Sequence, residues 1–293
     1  MTDETHPGQE VTDRPEGGEI AAPAPGEALA ERLAQIEARL ARHERGFAIL
    51  NRKLHSLHET LLRLNAREAP PDVNDPLAAN YPIERRLRAP EDPSILAFAG
   101  QALIPGMPRH EFWSMLDPRP ANVFLIKDFL QCAYQQGLLG LSHDVPSTVE
   151  VLRAQLPAGQ RRLVTMGSSA GGFAAILFGV LMGAERIVAF GPQTIITAKI
   201  FAHYDNQQST FGDVVRNGRD WLDLAAVLRA NPGFGGRIRL YYAQDYEMHR
   251  VAAARFRDFD CVELVPVPGK THGVARAMLR DGSFGAALDW ALG

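Results

Sequence analysis

The chain has 293 residues, 46% of them hydrophobic and 22% charged, and a formal net charge of -3. That is the composition of a globular protein with room for one large domain or two small ones. The slight negative charge argues against nucleic-acid binding as the main task, because neutralising a phosphate backbone takes a concentrated basic surface.

Residues 1–26 are rich in Asp, Glu, Pro and Gly and poor in large apolar side chains. Such a segment buries too little surface to offset the entropy of ordering, which predicts a disordered tail. Its first ten residues, MTDETHPGQE, lack the basic and apolar regions of a secretion signal, so the expected compartment is the cytoplasm. Leu29, Leu33, Ile36, Leu40, His43, Phe47, Leu50, Leu54, Leu57, Leu61 and Leu64 then follow in alternating steps of four and three. The spacing predicts a coiled-coil helix over 27–68. With Leu29 at d, Arg32 and Arg39 fall at g, and Glu37 and Glu44 fall at the e positions five residues on. These charges complement each other across a parallel pair, so the expected partner is a second copy, a parallel homo-oligomer through residues 29–64. A lone helix folded back on the globular part would show a wider apolar face than this two-position stripe.

Proline-rich sequence over 69–92 predicts a linker. Residues 93–293 then alternate strand-like and helix-like patterns. The strands are SILAFAG, ANVFLIKD, RRLVTMG, RIVAFG, RIRLYYA and CVELVPVPG. A capping box, Ser147 to Glu150, is expected to start the helix before the third. The alternation predicts an α/β fold, a mostly parallel doubly wound sheet with helices on both faces. Residues 194–236 break the rhythm and fit either a small cap over the strand ends or a plain helical connection. Cys132 and Cys261 form neither a disulfide framework nor a zinc site and read as small buried apolar residues, with Cys261 opening a strand. The charge-free run Leu163–Ala184 is interrupted by GSSAGG, and what remains is too short for a membrane span.

That interruption carries the chemistry. Gly167-Ser168-Ser169-Ala170-Gly171 is a G-x-S-x-G pentad between an apolar β-rich run and a helix-forming run, the context of a nucleophile elbow. Gly167 and Gly171 suit a turn too tight for side chains, with Ser169 presented at the strand tip. A serine hydroxyl needs a base and a group to orient that base. His272, after the sixth strand, is the candidate base. Asp245 and Glu247, in the turn after the fifth strand, are the candidate acids, with Asp245 slightly preferred because aspartate is commoner. His249 is a rival base. The oxyanion hole would take the N–H of Ala170 at the helix start, with Gly100 or Gln101 as second donor from the loop after the first strand.

Through GSSAG, the turn carboxylates and His272, residues 93–293 resemble the α/β-hydrolase superfamily. The resemblance implies a serine hydrolase, an esterase or acyltransferase working through an acyl-enzyme on Ser169, with no metal and no organic cofactor. Two departures stand out: six strands where the full core has eight, and no HGGG oxyanion signature. The stretches around FAGQAL, AFGPQT and the fifth strand are similar to hydrolase-like proteins of bacterial glycan assembly, which implies a small-molecule or glycan-linked ester substrate. The alternative is a non-catalytic interaction protein that oligomerises through its coiled coil, since a fold does not guarantee its usual activity.

Overall fold

In the computed structural model, residues 32–37, 69–76, 78–100, 110–160, 162–197 and 221–293 are described. The chain divides into two compact units, Met1–Arg52 and Lys53–Gly293. In the first, residues 32–37 are helical, with Leu33 and Ile36 exposed. The expected tail over 1–26 and the rest of the expected coiled coil lie outside the described residues.

The second unit is built on a seven-stranded sheet. Its strands are β1 (Ile83–Arg86), β2 (Ser94–Phe98), β3 (Asn122–Ile126), β4 (Leu163–Ser168), β5 (Arg186–Phe190), β6 (Arg237–Ala243) and β7 (Val262–Val267). The spatial order is β1-β3-β2-β4-β5-β6-β7. Only β1 runs antiparallel to its neighbour; every other pairing is parallel.

The helices are α1 (Trp113–Leu116), α2 (Val145–Gln155), α3 (Ala170–Met182), α4 (Leu224–Ala230), α5 (Glu247–Ala254), α6 (Val274–Asp281) and α7 (Phe284–Leu292). Strand alternation sorts the core into two layers. Leu96 and Phe98 of β2 pack with α2, α3 and α4 on one face. Ile95 and Ala97 pack with α1, α6 and α7 on the other. A sheet covered on both sides accounts for the near-continuous apolar strands.

Three features differ from the sequence reading. β1 lies in the stretch read as linker. It is a four-residue strand paired with β3 on one side and, on the other, bonded among the described residues only at Arg85, whose amide donates to the carbonyl of Pro71 and whose carbonyl accepts from the amide of Val73; it lacks the long apolar run that marks the central strands. A buried ion pair between Glu84 of β1 and Lys127 holds it in place, and Lys127 Nζ also donates to the carbonyl of Ala78 at 3.0 Å. Second, the box at Ser147–Glu150 does not start α2. Asp144 is the cap, accepting from the Ser147 amide at 2.8 Å, while Ser147 Oγ accepts from the Asp144 amide at 3.2 Å. Pro146, in the first turn, needs no N–H partner and draws the helix start back before it. Third, Cys261 is only half-buried and precedes β7 instead of opening it. In the 194–236 stretch, Ile195 bridges to Asp223 and α4 follows, while 198–220 lie outside the described residues.

Among the described residues no helix is long and apolar enough to cross a membrane, and no cluster of His, Cys, Asp or Glu could hold a metal ion.

Candidate active site

The elbow between β4 and α3 has no room for side chains. A Cβ on Gly167 would strike the carbonyl of Gly171, and a Cβ on Gly171 would strike the carbonyls of Phe98 and Ala99. Between these glycines Ser169 takes φ 56° and ψ -120°. A non-glycine residue at positive φ is strained by about 1–3 kcal/mol and persists only where its surroundings enforce it. Here the Ser169 amide is tied to the carbonyl of Phe190 at 2.9 Å. Ser169 stands at the N-cap position of α3, yet its hydroxyl makes no capping bond.

The hydroxyl faces His272 instead. Nε2 of His272 lies 2.7 Å from Oγ of Ser169. His272 sits in the loop between β7 and α6, and its carbonyl accepts from the Val274 amide at 2.9 Å. Desolvation holds its pKa below the ordinary 6.5. Strand ends of a parallel sheet gather at one edge, and Gly100, Ser169, His249 and His272 all follow the carboxyl ends of their strands.

The turn carboxylates lie elsewhere. Asp245 and Glu247 are both exposed, the amide of Asp245 bonds to the carbonyl of Gly269, and Glu247 pairs with Arg250 one turn along α5. Nδ1 of His272 meets Nε2 of His249 instead, at 2.8 Å. The first turn of α5 points Glu247 outward and swings His249, two residues on, into the interior, where it is 3% exposed. Gly191 makes the space: at φ 54°, a Cβ there would come 2.7 Å from Cε1 of His249. The edge of the Tyr246 ring packs on His249 at 4.9 Å, and the amide of Ala243 donates to its Nδ1 at 3.2 Å. Burial first, and His272 second, lower the His249 pKa to about 4.

Ala170 is buried at the first turn of α3, where helix amides lack intrahelical partners. Gly100 lies over the elbow, where a Cβ would meet the carbonyl of Ser168 at 3.4 Å. Its amide donates to Oε1 of Glu111 at 3.0 Å, a contact that no local pattern announces. Gln101 lies outside the described residues. Behind this loop Asp128 accepts from the amides of Cys132 and Tyr134 at 2.8 and 2.9 Å. Tyr134 in turn brings its hydroxyl within 3.0 Å of the carbonyls of Ala99 and Ile126, bracing the chain next to Gly100.

No protein-family model matches the chain, and no curated protein matches it. Solved structures do. A fluorophosphonate-binding serine hydrolase of Staphylococcus aureus, FphF, superposes with a TM-score of 0.52 at 10% identity, over 71% of this chain and 86% of the other. The S-formylglutathione hydrolase FrmB of the same organism gives 0.53 at 12% identity, with the same coverages. The capsule O-acetyltransferase of Neisseria meningitidis serogroup A gives 0.53 at 14% identity, over 71% and 91%. The fold is that of the α/β-hydrolases. Among the described residues the sheet holds one antiparallel strand, β1, beside six parallel ones, one strand more than the sequence reading counted.

Proposed function

We propose that the protein is a serine hydrolase or acyltransferase that forms an acyl-enzyme on Ser169. The observation that carries this reading is the 2.7 Å approach of His272 Nε2 to a hydroxyl held at positive φ on a strand-to-helix elbow. In the reaction, Ser169 Oγ attacks an ester carbonyl and its proton passes to Nε2 of His272. That proton then goes to the leaving alcohol as the ester C–O bond breaks. Water or a second alcohol releases the acyl group in the reverse sequence. The Ala170 amide, at the positive end of α3, stabilises the oxyanion. The likeness to a capsule O-acetyltransferase and to two serine hydrolases supports a small acyl ester, free or on a glycan, as substrate.

Incubation with p-nitrophenyl acetate tests the reaction class. The expected result is release of p-nitrophenol with the acetyl group trapped on the peptide containing Ser169. Turnover that survives Ser169→Ala would refute it.

A second reading, a non-catalytic interaction protein, is favoured by one observation: Glu111 already occupies the Gly100 amide that an oxyanion would need. It is distinguished by ligand binding without acyl release. Under either reading, the heptad seam supports parallel self-association through residues 29–64.

A further inference from the structure

The hydrogen bonds behind His272 fix where its proton sits. A backbone amide can only donate, so the Ala243 amide, 3.2 Å from Nδ1 of His249, requires a lone pair on that nitrogen. With its pKa lowered to about 4, the His249 ring is neutral near pH 7 and carries its one proton on Nε2. That Nε2 faces Nδ1 of His272 at 2.8 Å, so His249 donates and His272 accepts. Desolvation keeps His272 neutral as well. A neutral imidazole that accepts at Nδ1 holds its proton on Nε2, the atom 2.7 Å from Ser169 Oγ. Donation therefore runs one way along the row, from the Ala243 amide through His249 and His272 to the serine.

This polarity is the reverse of what serine attack needs. A carboxylate behind the base can only accept, which places the proton on Nδ1 and leaves Nε2 empty for the serine proton. A neutral imidazole pinned by a backbone N–H can only donate, and it selects the other tautomer. We infer that His249 is a positioning residue that latches the site: it holds His272 with Nε2–H toward Ser169, and acyl transfer begins only once the His249–His272 hydrogen bond breaks or reverses. The latch rests on the reading of Ser169 and His272 as nucleophile and base. Reversal would put a proton on Nδ1 of His249, opposite the Ala243 N–H, so the His249 ring must leave that amide. The described groups that contact its ring include the His272 ring, the Tyr246 ring, bare Gly191 and the Ala243 amide, none of them a carboxylate that could accept the proton.

Two measurements on the full chain test the latch. Histidine-selective 15N NMR of the wild type reads the tautomer directly, and is expected to show His272 protonated on Nε2. Fluorophosphonate labelling rates are then compared for wild type, His249→Glu and His249→Ala. The glutamate can only accept when ionised, and the alanine removes the donor. A wrong tautomer costs a serine–histidine pair on the order of 10⁴-fold, so His249→Glu is expected to label at least about tenfold faster. His249→Ala is expected to label faster too. His272 protonated on Nδ1 overturns the latch, as does a folded His249→Ala that labels at the wild-type rate or slower. If no chain shows Ser169-dependent labelling, the serine-hydrolase reading fails and the NMR result alone decides the tautomer.

Discussion

Oγ of Ser169 and Nε2 of His272 stand 2.7 Å apart although 103 residues separate them in the chain. Four parallel strands make that meeting possible: β4 carries the serine to the sheet edge, and β5, β6 and β7 step across to deliver the histidine to the same edge. A hydroxyl at positive φ and a half-buried imidazole are both costly placements. Each is held by backbone bonds, to Phe190 in one case and within the loop before α6 in the other.

The elbow glycines should be intolerant of any side chain. Gly167→Ala and Gly171→Ala each place a Cβ against backbone carbonyls that cannot swing aside. Overpacking of this kind costs about 1–3 kcal/mol, and backbone collisions fall at the upper end. Urea denaturation should show the loss for both variants. An alanine at either position with an unchanged midpoint would mean that the turn is looser than described.

The acid limb of activity follows from His272. Desolvation lowers its pKa, so the ring stays neutral at pH values where an ordinary histidine, near 6.5, is charged. The kcat/KM profile for p-nitrophenyl acetate should therefore fall off on the acid side below pH 6.5. A limb centred above 6.5 would point to a stabilised imidazolium and a carboxylate partner.

Stability should also fall in acid. His110 and His249 are buried with folded pKa values of about 3 and about 4, below the 6.5 of the unfolded chain. As pH drops below 6.5 the unfolded state binds protons that the folded state refuses. Stability therefore declines toward pH 4, each such histidine contributing about 1.4 kcal/mol per pH unit crossed. Asp128 opposes this. Burial raises it to about 6, so between about pH 6 and its unfolded value of 3.8 acid favours the folded form. Two histidines outweigh one aspartate, and the net expectation is loss. His110→Asn, which keeps an acceptor near the Phe112 amide, should flatten the decline seen by thermal melts at pH 7, 6 and 5. An identical decline in that variant would mean that His110 is not a source of the acid sensitivity.

Self-association is tested by length. If the proposed heptad seam supplies the contact, deleting residues 27–68 should convert an oligomer to a monomer in light scattering. An unchanged mass would dismiss the coiled coil.

Much of the sheet was legible because buried parallel strands write themselves as continuous apolar runs. The elbow was legible because its glycines are forced by contact with backbone. β1 was not. It is four residues long, IERR, and Glu84 is kept inside by a lysine 43 positions away, which no local pattern reveals. The residue behind His272 was narrowed to one turn but not chosen within it. Asp245, Glu247 and His249 share the same stretch, and the choice depends on which of them α5 rotates inward against Gly191. That is a matter of helix phase and of a left-handed glycine 58 residues upstream of His249.

Whether Ser169 is a nucleophile is decided by fluorophosphonate labelling of the wild type beside Ser169→Ala. A labelled serine is expected in the first and none in the second, with His272→Ala also unlabelled. Equal labelling of wild type and Ser169→Ala, or no labelling of a wild type whose NMR spectrum shows it folded, would contradict the acyl-enzyme chemistry.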